Sequence, residues 1–368
     1  MTDVLVVGGG IAGVAVAAAL AGSASVTLVD QEPVLAFHTT GRSAAVLFEN
    51  YGAPAVRPLT RWSRRFFETP PGSFDTVLTH PRGGLYVGDR SQLGALQEIY
   101  ADGVAAGAAV EMLDGPSTRR LVPVLRSSHA VGSVLDSNVV DLDVAAIHQG
   151  FVREIRSAGG DIATSSRCTG LVRRSGIWRA TCGDRLIEAD VVVNAAGAWG
   201  DVVARSAGVS PLGLIPKRRT AFMVEAPDGA ARWPFVADAD ETWYFKPDGS
   251  QLLCSPADET PSEPMDARPL QIDVARAIDR INSATTLSIT HVRSEWAGLR
   301  TFTPDGVMAI GAAPDADGFF WLVGQGGTGI MTAPAAGRLL ADLILDGAPA
   351  PDLGAVSLAS FDPARFVS

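Results

Sequence analysis

The stretch Val4-Leu5-Val6-Val7-Gly8-Gly9-Gly10-Ile11-Ala12-Gly13 carries a β-branched run into a glycine turn and out into small residues. Gly8, Gly10 and Gly13 satisfy G-x-G-x-x-G. In that pattern the first glycine makes a turn that strains other residues. The second lets backbone approach a pyrophosphate, and the third lets the helix pack closely on the strand. The helix N-terminus then offers N–H groups and partial positive charge to phosphates. Alone the pattern is weak. Here Val26-Thr27-Leu28-Val29-Asp30 follows as a second strand ending in an acid, and such a carboxylate accepts hydrogen bonds from the hydroxyls of an adenosine ribose. Strand, turn, helix, strand and acid together predict a Rossmann-like dinucleotide site in an α/β chain.

Composition narrows the class. The 368 residues are 47% hydrophobic, which suits a globular chain with one large or two modest domains. The net charge of −10 and the lack of long basic runs argue against a nucleic-acid partner. Cys168, Cys182 and Cys254 are widely spaced and form no C-x-x-C pair, which fits a reduced, cytoplasmic protein. The histidines show no H-x-x-H or H-E-x-x-H spacing, so no metal site is expected. The glycine turn interrupts the first apolar stretch, so a signal peptide is not expected. With no unbroken apolar run of about 18 residues, neither is a transmembrane helix.

Residues 11–22 are almost wholly apolar and predict a buried helix. Gly83-Gly84-Leu85-Tyr86-Val87 reads as a turn and a strand. Val144, Ile147, Phe151 and Ile155 recur at helical spacing until Gly159-Gly160. Residues 187–194 read as one buried strand, ending in Ala195-Ala196-Gly197-Ala198-Trp199 at an edge where α/β sheets bind ligands. Between about 211 and 300 the pattern becomes meander-like, with strands near 222–225, 242–246 and 251–254. Residues 256–269, rich in Pro and acid, suggest an exposed loop. Phe319–Val323 then predicts a strand, Gly324–Gly329 a glycine turn, and 330–345 a helix.

Dinucleotide-like pieces therefore occur at both ends and in the middle. Three separated glycine-rich contacts suit a long, extended FAD better than a nicotinamide cofactor. The expected architecture is a discontinuous FAD-binding domain (1–75, 141–210 and 301–368) with an intercalated, mixed or antiparallel-sheet substrate domain (76–140 and 211–300).

On Val4–Gly13, Thr40–Ala45, Tyr51-Gly52, Val193–Trp199, Pro216–Arg219, Trp296–Arg300 and Gly324–Gly327, the chain resembles the D-amino-acid oxidase family of FAD enzymes. Within it, the likeness is greatest to bacterial D-arginine dehydrogenases. The resemblance implies oxidative deamination: hydride passes from Cα to flavin N5, and the imino acid hydrolyses to a 2-oxo acid and ammonia. It implies non-covalent FAD. The contacts it implies at the nucleotide end are Gly8, Gly10, Ala12 and Gly13, then Asp30, Gln31, Thr169, Gly197 and Trp199. Arg42, Ser43, Ala44 and Ala45 would line the flavin. Gly327, Thr328, Gly329 and Ile330 would open the last helix toward its N1 and O2.

Arg300 is the leading candidate to clamp the substrate carboxylate, since a guanidinium meets a carboxylate with two parallel hydrogen bonds. Its apolar neighbours already suggest a buried arginine in need of an anion. The resemblance adds Arg219, Tyr244 and Tyr51. Arg219 also reads as part of a solvated basic turn, and Tyr244 as core packing.

Three positions depart from the D-arginine pattern. Val46 replaces a histidine near the substrate amine, Gly84 a glutamate that meets the guanidinium, and Thr328 a tyrosine. A pocket lined by Val46, Phe48 and Gly84 suits a D-amino acid with a neutral or apolar side chain. The alternative is a secondary amine, N-methylated or cyclic. The electron acceptor, whether oxygen, a quinone or another, is left open.

Overall fold

The computed structural model describes residues 3–354 and 356–367. Asp3–Val7 lies at the heart of a six-stranded sheet, parallel to both Ser25–Val29 and Val191–Asn194. Asp161–Ala163 extends the sheet in parallel on one side and Phe319–Val323 on the other, and Ala309–Ala312 closes it as an antiparallel edge. Strands buried on both faces read as unbroken Val/Leu runs, which is why this sheet was the readable one. The Ile11–Leu20 helix crosses the Gly329–Leu345 helix so closely that a side chain at Gly337 would meet the Ala15 backbone at 2.6 Å.

The second large sheet has nine strands, drawn from residues 84–136 and 215–302. It is antiparallel except where Phe235–Asp238 runs parallel to Gly84–Gly88. Its longest strand, Ile215–Glu225, pairs along nearly its whole length with Ser294–Phe302. Between the large sheets lies a small one of Val46–Leu47, Val140–Leu142 and Thr79–Pro81. Asp141, opposite Val46, accepts from Arg82 Nε at 2.6 Å and from the buried Lys246 Nζ at 2.8 Å. This ion triad ties the small sheet to the nine-stranded one.

Two expectations need correction. Residues 187–194 are not one strand: Arg185–Ala189 belongs to a three-stranded antiparallel sheet, and Val191–Asn194 to the parallel one. The chain changes sheets at Asp190, whose N–H donates to Asp3 O at 2.9 Å. Residues 256–269 are not simply an exposed loop. Thr260–Pro261 pairs with the Ile215–Glu225 strand, and Asp258 accepts from the Thr220 N–H at 2.6 Å. No helix among the described residues is long and apolar enough to cross a membrane.

Candidate active site

Three cavities follow one another beyond the C-terminal ends of the parallel strands. The outermost, about 340 Å³, extends from Gly8, Asp30 and Gln31 past Thr169 to Gly197 and Trp199. The middle one, about 120 Å³, shares Gly10, Thr40 and Gly197 with it. The innermost, about 90 Å³, shares Ser43, Arg300, Gly327 and Ile330 with the middle one.

Local sequence builds the outer wall. Gly8 has φ +115°, and its N–H donates to Val29 O at 2.8 Å. A Cβ there would stand 2.5 Å from Ala195 O. A Cβ on Gly13 would run into the Gly8 carbonyl oxygen, so strand and helix meet backbone to backbone. The middle glycine, Gly9, is pinned on both sides. Its N–H donates to Asp30 Oδ2 at 2.5 Å, and its carbonyl accepts from His148 Nε2 at 3.0 Å. Asp30 Oδ1 also accepts from the Glu32 N–H at 2.8 Å, and burial raises the Asp30 pKa against these bonds. Asp30 therefore supports the turn from the cavity wall as well as facing the cavity. The Ile11–Leu20 helix does not present all its terminal N–H groups, because Ile11 N–H donates to Thr40 Oγ1 at 3.0 Å. Thr40 itself lines the outer and middle cavities.

His148 is buried, and burial lowers its pKa from 6.5, so it holds Gly9 as a neutral donor. The unfolded chain binds this proton more readily than the folded one. This contribution to stability is therefore present above about pH 6.5 and lost as pH falls. His148→Gln is expected to flatten that part of the Tm-against-pH curve, and equal slopes in variant and parent would remove His148 from the effect.

Most of the expected site residues line the three cavities. Ala12, Gly329 and Ile330 line the middle one, as do Gly10, Gly197 and Gly327. Ala44, Ala45, Val46, Phe48, Tyr51, Tyr244, Arg219 and Arg300 line the inner one. Gly13, Arg42, Thr328 and Gly84 line none of them. Arg42 turns away to the carbonyls of Ala267 and Ala297, at 3.1 and 2.9 Å, and to Asp266 at 2.6 Å. Thr328 turns its hydroxyl onto Gln325 O at 2.8 Å, just before the last helix. Gly84 lies under the Phe48 ring, and a Cβ there would meet Phe48 Cζ at 2.6 Å and Val139 Cγ2 at 2.9 Å. The ring occupies the space a longer side chain would need.

The two arginines of the inner cavity differ in charge balance. Arg219 Nη2 pairs with Glu259 at 2.9 Å, and its Nε donates to Asp258 O at 2.9 Å. Arg300 forms no ion pair among the described residues. Desolvation opposes its charge, but Tyr51, Tyr244 and Glu259 outweigh that and raise its pKa. Arg300 Nη1 and Tyr51 OH converge over Gly327, 3.0 and 3.2 Å from where a Cβ would stand. Tyr86, Phe235, Ala237, Trp243 and Met331 complete the walls, with Glu241 among them. Burial keeps the Tyr86 phenol protonated, its pKa pushed well above 10.0. The period-2 alternation of its strand carries the signal for Tyr86, which lies two residues from Gly84. Phe235, Trp243 and Met331 have no comparable local mark.

Comparison with known proteins places this geometry. The family model described as FAD dependent oxidoreductase matches residues 3–343. Human mitochondrial sarcosine dehydrogenase is 25% identical over 98% of this chain, which spans only 41% of that protein. Glycine oxidase of Bacillus licheniformis is 25% identical, with 93% of each chain covered. The structure of L-proline dehydrogenase from P. horikoshii superposes with a TM-score of 0.88 at 19% identity, covering 99% of this chain and 97% of that one.

Proposed function

The chain belongs to the family of FAD dependent oxidoreductases, with FAD as its cofactor, and on that premise we propose that it oxidises a small secondary amino acid, N-methylated or cyclic, held by its carboxylate. The carrying observation is the inner cavity itself. It measures about 90 Å³, its walls are largely apolar, and Arg300 is its one arginine without an ion pair among the described residues. An engineered cavity of about 150 Å³ takes benzene, so the space suits a compact substrate. The D-amino-acid reading, which the family resemblance implies, calls for a neutral or apolar side chain. The relatives instead include enzymes named for sarcosine and glycine.

The apolar stretch of wall supports the same choice. Val46, Phe48, Phe235 and Ala237 give the cavity an apolar stretch of wall, with the Glu241 carboxylate also among its lining residues. A secondary amine has fewer N–H groups and brings apolar carbon to those walls.

The residues lining the outer and middle cavities suit the cofactor. Asp30, Gln31, Thr169 and Trp199 would hold the adenosine; Gly10, Ala12 and Ser43 the pyrophosphate; Gly327, Gly329 and Ile330 the flavin. Bound there, FAD would supply the two-electron, hydride-accepting chemistry that turns the amine into an imine open to hydrolysis by water. Arg300 and Tyr51 orient the substrate through its carboxylate, with Tyr244 as a further donor. Arg219, already paired with Glu259, shapes the wall more than it binds. In this reading the six-stranded sheet carries the cofactor and the nine-stranded sheet the substrate pocket.

The test is anaerobic mixing of the holoprotein with sarcosine, L-proline, glycine and separate pools of N-methyl, D- and L-amino acids, followed by the visible flavin spectrum. Fastest bleaching by sarcosine, proline or the N-methyl pool is expected. Bleaching by primary D-amino acids alone would overturn the proposal. Phe48→Ala should open the space above Gly84 and shift the kcat/KM ratio toward bulkier N-methyl substrates by roughly tenfold or more. An unchanged ratio would separate Phe48 from substrate choice.

A further inference from the structure

Cys168 and Cys182 face each other across the antiparallel strands Cys168–Arg174 and Ile177–Cys182. The neighbouring Gly183 N–H donates to Arg167 O at 3.0 Å. That makes 167/183 the hydrogen-bonded pair and 168/182 the non-hydrogen-bonded one. At such positions Cα atoms stand about 4.5 Å apart and side chains approach most closely. A disulfide spans Cα separations of about 4.4–6.8 Å, so a bridge is compatible with this register. The irregularity between Cys168 and Gly170 gives the strand local slack beside the pair.

Environment singles the pair out as well. Cys168 is partly exposed and lines the outer cavity, while Cys182 is buried behind it. Each thiol is the largest influence on the other's ionisation: Cys168 is pushed up, and Cys182 is drawn down with help from Arg185. Cys254 is buried with no such partner.

We propose that Cys168 and Cys182 form a redox-active pair that closes to an intramolecular disulfide in the presence of peroxide. The Cys168 sulfur attacks a peroxide oxygen, and its thiol proton passes to the departing hydroxide. The O–O bond breaks, giving a sulfenic acid at Cys168 and water. The Cys182 sulfur then displaces the hydroxyl, which leaves as a second water with the Cys182 proton. Two thiols lose two electrons and one peroxide gains them. The assignment does not depend on which amine the enzyme oxidises.

The experiment treats the holoprotein with a small excess of hydrogen peroxide, then unfolds it, alkylates free thiols and weighs it. Alkylatable cysteines are expected to fall from three to one, with a Cys168–Cys182 link in the peptide map and recovery of all three after dithiothreitol. Cys254→Ser should still bridge, whereas Cys168→Ser and Cys182→Ser should not. Retention of all three thiols, oxygen addition without loss of the thiol pair, or a bridge to Cys254 would overturn the proposal. The wild-type measurement stands even where a serine variant folds poorly.

Discussion

Arg300→Met is expected to lower kcat/KM for the best substrate by roughly thirty- to several-thousand-fold, with FAD still bound. Methionine keeps much of the length and apolar contact of the side chain while removing the charge and the fork of donors. Losing one partner of a buried, hydrogen-bonded charge pair costs about 2–5 kcal/mol, and each 1.36 kcal/mol is a factor of ten. Arg219 cannot take over, because Glu259 and the Asp258 carbonyl already engage its guanidinium. Arg300→Lys should lie between parent and Met, since it keeps the charge without the planar geometry. Steady-state kinetics and the flavin-to-protein ratio check this together. Unchanged kcat/KM in Arg300→Met would remove Arg300 from substrate binding, and loss of flavin would recast it as a cofactor contact.

Gly13→Ala is expected to weaken FAD binding by roughly 5- to 150-fold, the equivalent of about 1–3 kcal/mol of overpacking strain. The new methyl would run into the Gly8 carbonyl, and the next neighbour is Ala195 Cβ at 3.5 Å. The principal clash is with backbone, so no rotamer relieves it. The Ile11–Leu20 helix would have to lift off its strand and draw the Gly8–Gly10 turn with it. Dialysis followed by flavin absorbance reads the result, with Tm recorded alongside. Full flavin retention at unchanged Tm would mean that the helix accommodates the methyl without moving the turn.

What could be read from sequence followed how locally each feature is encoded. Phe319–Val323 and the 144–157 helix are written in consecutive residues, through a buried run in one case and a helical stripe capped by Asp143 in the other. The glycine turn is equally local. Its supports are not: His148 reaches Gly9 across 139 residues, and Thr40 reaches Ile11 across 29. Glu259, which neutralises Arg219, lies 40 residues further on. Residues 187–194 misled for another reason. One apolar run serves two sheets, and only the partner strands decide where it is cut.

The order of strands in the parallel sheet also sets a timetable for folding. Asp3–Val7 leaves the ribosome well before the strand that pairs with it on one side. Of its neighbours, Val191–Asn194 emerges far later, and Phe319–Val323, which completes that side, later still. At about 5–20 residues per second, the 184 residues from Val7 to Val191 take roughly 9–37 s to synthesise. For that interval a strongly apolar strand has one free edge, a template for pairing with other chains. Slow, non-local closure of this kind leaves an incomplete chain exposed to aggregation. Yield on refolding from denaturant should therefore fall steeply as protein concentration rises.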